Sequence, residues 1–93
     1  MTTQSFASVW DALEETPSAA ENMRLRSSVM IAISDAVRGW AVPQTVAAKR
    51  LGITQPRLND LLRGRVDKFS LDALVELAAR AGLKVSLQIR KAA

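Results

Sequence analysis

The sequence predicts a mainly α fold: a bundle of five helices with one C-terminal β-strand at about 84–90, pairing across a dimer. Three observations carry this. Apolar residues recur at spacings of three and four along most of the chain, stop signals of the Gly and Pro type separate the periodic stretches, and only the last segment, "LKVSLQIR", alternates with period two. At 93 residues the chain has the length of one hydrophobic core.

The opening stretch "SFASVWDALEE" places Phe6, Val9, Trp10 and Leu13 on one face of a short amphipathic helix, with Ser5 as its cap. Residues 1–16 form an acidic N-terminal arm, and residues 17–93 form the domain it docks on. "TPS" at Thr16 to Ser18 breaks the arm. Ser18 followed by Glu21 is a capping-box signature for a longer helix reaching about Arg38. Met23, Val29, Met30, Ile33 and Val37 give that helix its apolar stripe, and Gly39 stands where a left-handed cap is expected.

Pro43 suits the start of the next helix, over about 43–51, because its fixed φ and missing N–H cost nothing there. Gly52 ends it. Thr54 caps a further helix to about Leu62, with Pro56 tolerated in the first turn. "RGRVDKF" is a loop, and Ser70 caps a last helix over 71–81 with Leu71, Leu74, Val75 and Ala78 on one face. Trp40, at the junction before Pro43, reads as a packing residue, as does Trp10.

In the final segment Leu83, Val85, Leu87 and Ile89 alternate with Lys84, Ser86, Gln88 and Arg90. A single strand leaves its backbone N–H and C=O groups unpaired, so it needs a partner from elsewhere. The simplest is the same strand of a second copy, which makes Val85, Leu87 and Ile89 the expected dimerisation residues. Another protein's sheet is the alternative.

Composition narrows the function. There is no Cys and no His, which removes disulfides, thiol chemistry, Cys/His zinc sites and imidazole catalysis together. No Walker-type glycine loop or Gly-x-Ser-x-Gly elbow occurs, so the sequence predicts no enzyme and no cofactor. The uncharged run from Ser27 to Ser34 is far too short to span a bilayer. With no basic n-region ahead of an apolar block, a cytoplasmic protein is expected. The net charge of +4 is asymmetric: Asp11, Glu14, Glu15 and Glu21 are the only charges in residues 1–22, so the remainder carries all 13 basic residues against five acidic ones. A basic body favours an anionic partner such as nucleic acid, although a merely soluble basic surface gives the same count.

The residue pattern decides between them. In "QTVAAKRLGITQPRLNDLL", two short helices meet at Gly52. Ala48 sits where they cross most closely, and Gly52 supplies the positive φ of the sharp turn. Leu51, Ile53, Leu58 and Leu61 face the core, leaving Gln55, Arg57, Asn59, Asp60 and Arg63 outside. Gln bonds adenine and Arg bonds guanine bidentately, and these are the base contacts open to Gln55 and Arg57 if this helix enters a major groove. Asn59 and Asp60 are readers or satisfied surface residues, with Asp60 favoured as an orienting partner for Arg57 or Arg63. Arg63, Arg65 and Lys68 reach phosphates and supply salt-dependent affinity. Lys49 and Arg50 are weaker candidates.

Residues 40–89, through "AAKRLGITQPRLNDLLRGRVDKFSLDALVELAARAGLKVSLQI", resemble the XRE or phage-repressor helix-turn-helix family, and within it the HigA-like antitoxins. The resemblance covers a little over half the chain and implies an all-α bundle with the helix-turn-helix at about 43–62. It places Gln44, assisted by Thr45, on the DNA backbone beside the recognition helix, where free N–H groups at a helix start bind phosphate. The capping Thr54 joins these backbone contacts. Gln55 and Pro56 match the first base-facing positions and Asp60 a later one. Proline departs from the family's usual polar residue and implies apolar contact with a thymine methyl, and the resemblance then implies that Gln55 and Arg57 are the leading base readers. The function implied is a sequence-specific repressor of double-stranded DNA, dimeric on a palindromic operator, and the antitoxin of a pair with a RelE/HigB-like toxin met by the acidic arm. A stand-alone regulator, or an interaction module that has lost DNA binding, are the alternatives.

Overall fold

A computed structural model of the chain describes residues 16–91. Pro17 opens helix α1, Pro17–Trp40, with Thr16 in the cap position and the proline in the first turn. The predicted Ser18 capping box does not form: the helix starts earlier, and Glu21 instead pairs with Arg24 one turn on. The hydrogen bond and the positive charge of Arg24 lower the pKa of the Glu21 carboxyl, and the same contact raises that of Arg24.

At its other end α1 runs through Gly39 to Trp40, and the left-handed cap is Ala41, with φ 54° and ψ 44°. The reason lies in Trp40, which packs against the core while the guanidinium of Arg50 stacks on its ring at 4.4 Å. Ending the helix at Gly39 would remove Trp40 from that seat, so a residue with a Cβ takes the unfavourable conformation.

Helix α2, Gln44–Leu51, follows with Pro43 as its cap residue, and α3, Gln55–Leu62, follows the turn at Gly52. A 3-10 turn, Val66–Lys68, leads to Ser70, whose hydroxyl accepts from the Ala73 amide and caps α4, Leu71–Arg80. Met30, Ile33 and Val37 of α1 meet Ala47, Ala48 and Leu51 of α2, Leu58 and Leu61 of α3, and Leu74, Leu77 and Ala78 of α4 in one core. Val75, expected inside, is exposed, and Leu77 takes its place. Phe69, in the loop before α4, is only 2% exposed and completes the core.

The five-helix bundle with a C-terminal strand is corrected. Among the described residues there are four α-helices and one 3-10 turn, and no strand. The helix expected over 5–15 lies outside the described residues, as do Phe6, Val9, Trp10 and Leu13. Residues 83–91 have no ladder, because among the described residues no second extended segment runs beside them. They lie next to α1 instead: Leu83 packs on the core, while Ser86, Leu87 and Ile89 share a groove with Leu25. Apolar alternation sets which side chains share a face of an extended chain; it does not provide the neighbour that a strand requires. Among the described residues no helix is long and apolar enough to cross a membrane.

Replacing Ala41 with Gly should relieve the left-handed strain and stabilise the fold by about 0.5–1 kcal/mol. A thermal melt showing no gain, or a loss, would mean that the cap is not strained.

Candidate nucleic-acid interface

The site is built around the turn between α2 and α3. Gly52 has φ 71°, and its N–H donates to the Ala48 and Lys49 carbonyls, while the Ile53 N–H returns to Ala48 O at 3.0 Å. These bonds use the last carbonyls of α2 and send the chain sharply into α3. Ala47 and Ala48 are buried, as small residues at a close helix crossing must be. From α4, Arg80 Nη1 donates to Leu51 O at 3.0 Å and lies so close to Gly52 that a Cβ there would stand 2.6 Å from it.

Thr54 closes the turn. Its hydroxyl accepts from the Arg57 amide at 3.3 Å, as a helix cap does. Leu58 and Leu61 are fully buried, and this fixes the rotation of α3 about its axis. Gln55, Pro56, Asn59 and the following Arg63 are exposed on the opposite side. Asp60 is half-buried, with the Arg65 Nε 3.6 Å from its carboxylate, so its charged neighbour is Arg65 and not Arg57 or Arg63. Such a part-exposed pair is worth little for stability, on the order of 1 kcal/mol or less.

Arg57 stands on the flank of α3. Its guanidinium lies over the Phe69 ring, 4.3 Å from the centroid, and Nη1 donates to the Lys68 carbonyl at 3.4 Å. Phe69 is the participant that the sequence reading missed. The signal was present: Phe69 precedes the capping Ser70, and Leu74 is four residues after the cap, which is the spacing of a hydrophobic staple. Both side chains are buried in the core. The loop is held from behind by Arg26 of α1, whose Nη1 donates to the Val66 and Phe69 carbonyls at 2.9 and 3.2 Å.

Gln44 and Thr45 are exposed in the first turn of α2, where Pro43 O already accepts from Val46 and Ala47. The structure therefore brings Thr54, Arg57, Lys68 and Phe69 together, and Asp60 with Arg65. Val85, Leu87 and Ile89, exposed at 42%, 65% and 84%, belong to the C-terminal segment and not to this cluster.

A profile described as a helix-turn-helix domain matches residues 12–90, most of the chain. The chain belongs to this XRE-type helix-turn-helix family. A solved structure titled "Putative XRE Family Transcriptional Regulator" is similar at 29% identity with a TM-score of 0.71, covering 78% of this chain and 82% of that one. No curated protein sequence matches. Neither similarity singles out the HigA-like subgroup. For this helix-turn-helix protein the match spans α1 as well as the two short helices, so the resemblance read from residues 40–89 understated its extent.

Gly52→Ala should destabilise the fold by about 2 kcal/mol, more than Gly82→Ala at about 1 kcal/mol. Both have positive φ, but only Gly52 is crowded, by Arg80. The excess should shrink in an Arg80→Met background. Equal costs in thermal melts would show that the Arg80 contact does not restrict the turn.

Proposed function

We propose that this chain is a transcriptional regulator that reads double-stranded DNA with α3. The observation that carries the reading is the rotation of α3: Leu58 and Leu61 are buried, which turns Gln55, Pro56 and Asn59 outward on a helix that follows a tight glycine turn. A helix presented in this way fits the major groove, whose base edges distinguish all four pairs. The XRE-type family and the regulator title of the similar structure support it.

Gln55, Pro56, Arg57, Asn59 and Asp60 are the base-facing set, with Gln55 directed to adenine, Arg57 to guanine and Pro56 to a thymine methyl. Asp60, already beside Arg65, orients that cation or accepts from a cytosine amine. Gln44, Thr45, Thr54, Arg63, Arg65 and Lys68 contact the backbone on either side. Their share of the affinity is salt-dependent and carries no sequence information. No catalytic step belongs to this activity.

The finer reading is a repressor that acts as a homodimer on a two-fold operator. The exposed apolar side chains of Val85, Leu87 and Ile89 supply contact area between copies as packed side chains rather than as a paired strand. The acidic segment over residues 1–22 favours a basic protein partner, which supports the antitoxin role with a RelE/HigB-like toxin.

The test is the affinity of wild type and Arg57→Ala for the DNA upstream of the protein's own gene, against scrambled DNA, at two salt concentrations. Arg57→Ala should lose about 1–3 kcal/mol of preference while a salt-dependent background persists. Wild type showing only that background would refute sequence-specific repression. Co-expression with the neighbouring reading frame tests the toxin: a small basic protein that co-purifies supports the pair, and its absence removes the antitoxin role alone.

A further inference from the structure

We propose that Phe69 and the Lys68 carbonyl form a seat that fixes the Arg57 guanidinium for side-on reading of a guanine, making Phe69 a positioning residue for specificity. The inference rests on the DNA-reading role of α3. A free arginine side chain has many rotamers, and ordering it on binding costs affinity. Here the guanidinium carbon lies over the Phe69 ring, 4.3 Å from its centroid, and Nη1 donates to Lys68 O at 3.4 Å. The ring and the carbonyl together hold the group at two points.

What remains is the edge formed by Nε and Nη2, which has no protein partner among the described residues. Two parallel N–H groups on that edge match O6 and N7 of guanine. The seat is itself rigid. Phe69 is 2% exposed within the core, its carbonyl accepts from Arg26, and the capped start of α4 follows at Ser70. A chain of contacts thus runs from α1 through Arg26 to the loop, through the ring to Arg57, and from Arg57 to the DNA. Lysine at position 57 would keep the charge but has neither the plane nor the paired donors.

The experiment compares wild type, Phe69→Met and Phe69→Tyr for the ratio of affinities on upstream and scrambled DNA. Phe69→Met keeps a large apolar side chain in the core without the ring. It should lower the ratio about tenfold with an unchanged salt slope, whereas Phe69→Tyr should stay within about twofold of wild type. In an Arg57→Ala background, Phe69→Met should produce no further drop in the ratio. A role confined to folding would weaken binding to both DNAs alike and would persist without Arg57, and that result overturns the seat. So does a rise in affinity in Phe69→Met, which would mean that the ring holds Arg57 away from DNA.

A second measurement avoids any variant. Nuclear Overhauser contacts between the Arg57 δ-methylene protons and the Phe69 ring should be present in wild type and should persist when the upstream duplex is added, while the Arg57 Nε proton moves downfield as it donates to guanine. Loss of those ring contacts on adding the duplex overturns the proposal. Wild type without preference for its upstream DNA refutes α3 as a reader and the seat with it. A preference that is lost in Arg57→Ala but kept in Phe69→Met refutes the seat alone.

Discussion

Everything functional in this chain depends on the sharp turn at Gly52. The glycine adopts φ 71°, Ala48 in the preceding turn is buried, and the Ile53 amide closes back on the Ala48 carbonyl. A Cβ at position 52 would be strained by its own backbone and would meet the Arg80 guanidinium. With the turn fixed, Leu51, Leu58 and Leu61 all reach the same core, and the outward face of α3 is determined by what is left over. The outward surface of α3 is therefore the complement of a packing solution: moving Leu58 or Leu61 off the core would rotate every outward side chain with them.

The arginines tie this unit to its surroundings. Arg26 reaches the Val66 and Phe69 carbonyls, Arg38 reaches Leu62 O at 3.3 Å, Arg80 reaches Leu51 O, and Arg50 stacks on Trp40. Helix ends and tight loops leave backbone carbonyls without helical partners, and a long cationic donor satisfies them from a neighbouring element. The positive excess seen in the sequence is thus partly engaged in holding the fold together, although Arg38, Arg50 and Arg80 remain exposed. It is a weaker indicator of an anionic partner than the count implies. The positions of Gln55, Arg57, Asn59, Arg63 and Lys68, not the total charge, favour DNA.

The helical part was legible because its signals are local. Ser70 and Thr54 accept from the third residue onward as capping predicts, and Gly52 and Pro56 hold the positions their backbone limits dictate. Three features were not legible, the first and the last of them for a non-local reason. Trp40 finds a seat under Arg50, which carries α1 past Gly39. Glu21 finds Arg24, and the helix starts ahead of Ser18. Residues 83–91 have the alternation of a strand but no extended neighbour among the described residues, and periodicity is silent about neighbours. Of the site, the exposure of Gln55, Asn59 and Arg63 followed from spacing alone, whereas Arg57 and Asp60, expected outside as well, are half-buried. The stacking of Arg57 on Phe69 did not, because it joins α3 to the loop before α4, and the staple spacing that marks Phe69 as buried says nothing about which cation covers it.

The measurement closest to the central claim is a titration of the labelled protein with duplex DNA from upstream of its gene, followed residue by residue through backbone amide resonances. If α3 is the reading helix, the largest shifts fall on Thr54 to Asn59, with a second group at Gln44 and Thr45 and a third from Arg63 to Lys68, while the buried face of α1 stays still. Shifts centred instead on the exposed segment over 83–91, with α3 unmoved, would contradict the account and assign the DNA contact, or the partner, to another surface.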